Sequence, residues 1–286
     1  MIVLAVDTCL EPGSLALLRA DDSPSAAARE GKPASAEATE GGELEVVPLP
    51  PGWRSTALHE EILRLVARHG LTTPAIDLYA VTVGPGPFTG VRLGLTAVKG
   101  LAEVHGKPVV PVSTLEALAA AAYQSRDRKG AVADNSDNWR VTSDENTETA
   151  ASLVTHHSSL VTGHCLFAPV LDARRGQIFG AVYQVEGERF LPILPETACA
   201  LQTFLVQIQA AGLEDVEFCA TDQALLRPAM ESEGWRASSF IRVSPQLAGV
   251  VAQRGFVGFQ QGRGIAAMAA DAHYVRASDA ELFWKE

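Results

Sequence analysis

The sequence predicts a two-lobed α/β protein, and three observations carry that expectation. The chain has 286 residues, more than one hydrophobic core usually organises. Short apolar runs that read as strands alternate with longer segments whose apolar residues recur at helical spacing. The order strand–turn–strand–strand, followed by alternating helix and strand, occurs twice, and each first strand ends in an aspartate, Asp7 and Asp172.

The elements follow from local chemistry. Ile2–Asp7 is a compact apolar run, Glu11-Pro12-Gly13 a turn, and Ser14–Arg19 a second strand. Residues 21–42 are rich in Ala, Ser, Glu, Gly and Pro and lack large apolar groups, so burial there cannot offset the ordering entropy and a disordered insertion is expected. Glu43–Leu49 supplies a third strand. Ala57–His69 places Leu58, Ile62, Leu65 and Val66 at helical spacing, with Gly70 as its stop. Leu78–Val83 is a strand, Gly84-Pro85-Gly86-Pro87 a rigid turn, and Gly90–Val104 a helix. For that helix Thr89 is the expected N-cap, with Phe88 and Leu93 as a hydrophobic staple. Gly106 and Pro108 end it. Val109–Val112 is a strand, and Ser113-Thr114-Leu115-Glu116 is a capping box opening an alanine-rich helix.

A second low-complexity stretch, from roughly residue 125 to 159, is expected to be mobile. Beyond it come strands at Leu166–Leu171, Gln177–Val185 and Arg189–Ile193, a helix near Leu201–Ala211 and a strand at Val216–Thr221. These elements divide into a first lobe, 1–113, completed by 273–286, and a second lobe, 114–272. Two β-β-β-α-β-α lobes facing across a cleft are the plan of actin-like, sugar-kinase-like folds, an analogy of order alone.

Composition narrows the function classes. A formal net charge of −11 argues against tight RNA binding by the isolated chain, because phosphate neutralisation supplies most of such affinity. Cys9, Cys165, Cys199 and Cys219 form no CxxC pair, which suggests reduced thiols and a cytoplasmic setting. The opening MIVLAVDT lacks a basic flank and reads as a strand rather than a signal peptide. No run approaches the roughly 18 apolar residues of a membrane span.

Catalytic motifs are mostly absent. Gly84-Pro85-Gly86-Pro87-Phe88-Thr89-Gly90 follows a strand and opens a helix, as a phosphate cradle does, but its spacing is GxGxxxG and no Gly-Lys-Ser/Thr follows. Its prolines remove backbone donors. A structural turn and a phosphate contact through Gly84 and Gly86 therefore both stand. His59-Glu60-Glu61-Ile62-Leu63 begins like a zinc-protease helix, yet Leu63 occupies the second ligand position, and no metal site is expected. Asp7 and Asp172 are candidates for positioning Mg-nucleotide, though aspartate also commonly ends strands. No catalytic residue is assigned.

The run Gly84-Pro85-Gly86-Pro87-Phe88-Thr89-Gly90-Val91-Arg92-Leu93-Gly94 resembles the GPGSFTGLRIG signature of the TsaB family. Leu4-Ala5-Val6-Asp7-Thr8, Pro111-Val112-Ser113-Thr114-Leu115, Leu171-Asp172-Ala173-Arg174-Arg175-Gly176-Gln177-Ile178-Phe179 and Tyr274-Val275-Arg276-Ala277-Ser278-Asp279-Ala280-Glu281 resemble further blocks of that family in the same order. Pro87 stands where the family usually has serine, and Ala272-His273 where a proline often precedes the tyrosine. The resemblance implies an actin-like, non-catalytic subunit that pairs with its larger paralogue TsaD, which holds the metal-binding histidines. In that setting the TsaE ATPase joins the pair and a threonylcarbamoyl group passes to the adenosine beside the anticodon of tRNA. Contact with tRNA is expected only through the complex, two copies are expected to pair when TsaD is absent, and no cofactor is assigned, a nucleotide at the contact with TsaD being left open. The competing expectations are a stand-alone actin-like ATP-dependent kinase or hydrolase, a metallopeptidase, and a scaffold unrelated to tRNA.

The family places the partner surface on the helices 57–69 and 90–104. On the second, Gly90, Gly94 and Ala97 recur at three- and four-residue steps beside Leu93 and Leu101, and Ile62, Leu63 and Val66 line the first. Interior helix glycines cost roughly 1 kcal/mol each against alanine, so something must approach them closely. That something is either a partner helix or the chain's own sheet.

Overall fold

A computed structural model describes residues 1–20, 43–50, 52–53, 55–131, 165–222, 224, 226 and 240–276. The insertion expected at 21–42 lies outside them, as does the second one beyond residue 131.

The first sheet contains β1 (Ile2–Asp7), β2 (Ser14–Arg19), β3 (Glu43–Pro48), β4 (Leu78–Thr82) and β5 (Val109–Val112), in the order β3-β2-β1-β4-β5. The second contains β6 (Cys165–Arg174), β7 (Gln177–Glu186), β8 (Arg189–Ala200), β9 (Val216–Ala220) and β10 (Phe240–Arg242), in the order β8-β7-β6-β9-β10. In both, the first three strands are antiparallel neighbours and the last two run parallel to the first. The duplicated order is thus a duplicated topology, and the fold is the two-lobed actin-like one.

The described helices are α1 (Ser55–Arg68), α2 (Phe88–His105), α3 (Thr114–Ala131), α4 (Leu201–Ala210) and α5 (Ala248–Gln260). Helices α1 and α2 cover one face of the first sheet, burying Leu58, Ile62, Leu65, Val66, Leu95 and Val98 on Leu4, Val6, Tyr79 and Val81. Helix α4 covers the outer face of the second sheet through Phe204, Leu205 and Ile208. Between the sheets a shared core joins Val3, Ala5 and Ala16 to Leu115, Leu118, Phe167, Val251 and Phe256. Within that middle layer one helix changes sides. Helix α3 packs on β6, β7 and β9, whereas α5, which comes late in the sequence, packs on β1, β2, β4 and β5. The assignment of 114–272 to the second lobe therefore fails for α5, and also for Ile265, which bridges to Val109 at the edge of the first sheet.

Four local expectations also change. The second insertion does not begin at residue 125, because α3 continues to Ala131. Strand β8 runs to Ala200 rather than Ile193. It carries Pro192 and Pro195 at a sheet edge, where a missing N–H removes no ladder bond from a central strand. The N-cap of α2 is Pro87, without a side-chain cap, so Thr89 lies inside the first turn. The capping box at α3 forms only in part. Ser113 Oγ accepts from the N–H groups of Leu115 (3.1 Å) and Glu116 (3.3 Å), but the Glu116 carboxylate goes to Arg254 instead.

Candidate functional site

Strand β1 delivers Asp7, and then Thr8 and Cys9, to the head of the first sheet, directly beneath the start of α2. Asp7 is fully buried. Its Oδ1 accepts from Thr82 Oγ1 at 2.8 Å and from the Cys9 N–H at 3.0 Å, while Oδ2 has no partner. Burial pushes the carboxyl up to about 6, against the lowering effect of those two hydrogen bonds. The neighbouring Cys9 thiol is pushed up to about 12 by its own burial and by the Asp7 charge.

The glycines of the turn are used by the chain itself. A Cβ on Gly86 would stand 2.9 Å from Cys9 Cβ, one on Gly90 2.2 Å from Thr8 O, and one on Gly94 2.3 Å from Thr8 Oγ1. Thr8 Oγ1 in turn donates to Gly90 O at 2.7 Å. Gly84 has φ +108, and a Cβ there would meet His273 O at 2.7 Å. Asp7, Gly84 and Gly86 do come together, as a closed junction between the β1 loop, α2 and the C-terminal segment. Asp172 does not repeat the arrangement. Its side chain is 45% exposed and ion-paired to Arg174, and its Oδ1 accepts from the Arg174 N–H at 2.7 Å, closing the β6–β7 turn.

The same closure corrects much of the expected partner surface. Ile62 and Val66 are core residues with no free area. Gly94 is buried and Gly90 half-buried, both against Thr8. Thr8, in the loop just after β1, supplies the close approach these glycines meet, rather than the sheet or a partner helix considered above. Ala97 and Leu101 are half-buried on the second core cluster. Leu93 is half-buried, and Leu63 is 43% exposed.

A different strip of α2 is left open. Leu93, Ala97, Gly100 and Val104 follow one another at four-, three- and four-residue steps and so share a face. Val104 is 79% exposed. A Cβ on Gly100 would find nothing within 4 Å. Thr89 and Thr96 are exposed on the same helix, and α1, which packs against α2, carries the exposed Leu63. The strip's residues are uncharged and small or aliphatic. Gly100 and Val104 were legible in the sequence as a continuation of the Leu93–Ala97 spacing.

One cluster joins residues of two quoted blocks whose contact the sequence did not foretell. Phe88, expected as a staple to Leu93, is 46% exposed and stacks instead on Tyr274, centroid to centroid 5.4 Å. The Arg92 guanidinium lies 3.7 Å over the Phe88 ring, and its Nε donates to Tyr274 Oη at 2.8 Å. Two residues on, Arg276 donates to Ala173 O (3.1 Å) and Gln177 Oε1 (3.3 Å). The segment from Tyr274 thus ties α2 to the β6–β7 turn; residues 277–281 of that block lie outside the described residues. Among the described residues, no group of three or more His, Cys, Asp and Glu is placed to hold a metal ion. His59 is exposed on α1.

Comparison with known proteins points one way. The family model for TsaD, tRNA N6-adenosine threonylcarbamoyltransferase, matches residues 54–132. The tRNA threonylcarbamoyladenosine biosynthesis protein TsaB of Bacillus subtilis is 27% identical over 217 residues, covering 73% of this chain and 75% of that protein. The tRNA N6-adenosine threonylcarbamoyltransferase of Methylorubrum populi is 48% identical over 66 residues, 21% of this chain and 19% of that protein. Among solved structures, a Pseudomonas aeruginosa protein described as similar to the peptidase YeaZ superposes with TM-score 0.64 at 22% identity, covering 96% of this chain and 99% of the other.

Proposed function

The chain belongs to the TsaB family, and we propose that it is the non-catalytic pairing subunit in tRNA threonylcarbamoyladenosine formation. It holds a TsaD-type paralogue in working shape while that partner transfers the threonylcarbamoyl group to the adenosine beside the anticodon. The observation that carries this reading is the open strip Leu93–Ala97–Gly100–Val104 on α2, together with the exposed Leu63 of α1. A helix of the partner can approach closely at Gly100 and Ala97, and Leu63, Leu93 and Val104 then supply the apolar contacts.

The surrounding facts agree with that role. The glycines of the turn make room for Thr8 and Cys9, which supports a packing role for it. A net charge of −11 favours a protein that meets tRNA through its partner. No described helix is long and apolar enough to cross a membrane, and the role belongs in the cytoplasm. In the absence of TsaD the same strip can pair two copies of the chain, and a TsaE-type ATPase completes the assembly.

The test is co-expression of the full chain with the TsaD protein of the same organism. Leu93→Arg puts a charge in the strip and leaves the core intact. It should fold and melt as the wild type does yet fail to co-purify, a loss of at least about 2 kcal/mol, or roughly thirtyfold in affinity. Pairing at wild-type strength would refute the assignment. Undiminished tRNA modification in cells lacking this chain would refute the role itself.

A further inference from the structure

Residues from both sheets converge on one buried cation, Arg254. It projects from α5, which rides on the first sheet, and is 4% exposed. Its Nε and Nη2 both donate to Glu116 Oε1, at 3.0 and 2.8 Å. Glu116 belongs to α3, which rides on the second sheet. Arg254 Nη1 donates to Glu188 O at 2.7 Å, in the turn between β7 and β8, and lies 3.5 Å from Glu188 Oε2. The guanidinium stacks 4.6 Å over the Phe190 ring of β8. All three donor nitrogens and one π-face are therefore engaged with the opposite lobe.

Further ties cross the same boundary. Gln124 of α3 donates to Gln253 of α5 at 2.6 Å. At the other end of the contact, Glu196 Oε1 of β8 accepts from Ser113 Oγ, at the exit of β5, and from Tyr183 Oη at 2.7 Å. His273 Nε2 stands 3.0 Å from Glu196 Oε2, off the line that a hydrogen bond needs. The Arg276 bonds to Ala173 and Gln177 close that side.

We infer that Arg254 is an interlobe bolt that holds the two sheets in one fixed arrangement, so that this cleft-forming fold does not open and close. Two-lobed proteins that work by closing over a ligand concentrate the motion in a few hinge residues and leave the facing surfaces unpaired in the open state. Here the facing surfaces are joined by a planar five-donor group whose geometry fits only one relative placement of Glu116, Glu188 and Phe190. This goes beyond the pairing role, which requires a partner face and makes no demand on the lobes.

The test measures the distance between spin labels on Thr72→Cys, in the loop after α1, and Gln207→Cys, on α4. Cys165→Ser and Cys199→Ser remove the accessible native thiols, while the buried Cys9 and Cys219 stay unlabelled. The doubly labelled full chain is diluted with unlabelled chain so that only intramolecular pairs register. One narrow distance peak is expected, unmoved by excess magnesium–ATP. Arg254→Met should broaden it roughly twofold or more while circular dichroism shows a folded chain. Should that variant fail to fold, Glu116→Gln, which keeps the shape and discards the charge, replaces it with the same expectation. A broad wild-type peak, a peak that shifts with nucleotide, or a variant as narrow as the wild type overturns the inference.

Discussion

Replacing Asp7 with asparagine isolates one buried charge from the rest of the fold. The carboxyl is fully buried, Oδ2 has no partner, and burial raises its pKa from 3.8 to about 6. An acid whose pKa is raised on folding is easier to bury protonated. The penalty is therefore absent below about pH 4, grows between the unfolded and folded values, and is complete above about pH 6. Its size is the shift, 6 − 3.8 = 2.2, times about 1.4 kcal/mol per unit, or roughly 3 kcal/mol. In Asp7→Asn, Oδ1 still accepts from Thr82 and Cys9, and an amide nitrogen takes the place of the orphan oxygen. That nitrogen also lacks a partner, which adds an offset independent of pH. The informative quantity is the stability difference between variant and wild type, from urea denaturation at intervals between pH 4 and pH 8. All other carboxylates cancel in it. The variant should gain on the wild type by roughly 2–3 kcal/mol between pH 4 and pH 8, with most of the change below pH 6.5. A difference flat across that range would mean that Asp7 is solvated or paired in the native state, and would refute the closed-junction account.

Two helix glycines on α2 should respond oppositely to alanine. Gly94→Ala drives a methyl to 2.3 Å from Thr8 Oγ1 and should lower stability by about 2 kcal/mol or more in denaturant titration, despite the gain in helix propensity. Gly100→Ala meets nothing within 4 Å; it should raise the isolated chain's stability by about 0.5–1 kcal/mol and weaken co-purification with the TsaD partner.

The order of elements was legible because the punctuation is chemical. Gly70 and Gly106 end α1 and α2 in the left-handed region, with φ of +67 and +61, and the Ser113 hydroxyl caps α3 as the sequence suggests. The placement of α5 on the first sheet was not legible. An amphipathic helix shows that one face will be buried but carries no label for the sheet that will bury it. The stripe Gly90–Gly94 misled for a related reason. Spacing shows that something comes close, and both a partner helix and the β1 loop satisfy it. Gly100, by contrast, has no internal explanation. The pairing of Asp7 with Asp172 failed because strand position does not fix depth: one lies between buried strands, the other caps an exposed turn. Phe88 left its expected staple because its stacking partner, Tyr274, lies far along the chain, beyond any local pattern.

The crossing of α5 to the first sheet bears on how the polypeptide is made. When residues 1–113 have left the ribosome, Val3, Ala5, Ala16 and Ala80 face water, because the helix that shelters them is the stretch 248–260, still to be synthesised. The second sheet, conversely, receives its inner cover before any of its own strands exist. The first half thus lacks the cover of its inner face, and in the second half the apolar side of 248–260 has no sheet of its own to rest on. A chain cut between them should give two sticky fragments that regain a dry interior only by finding each other.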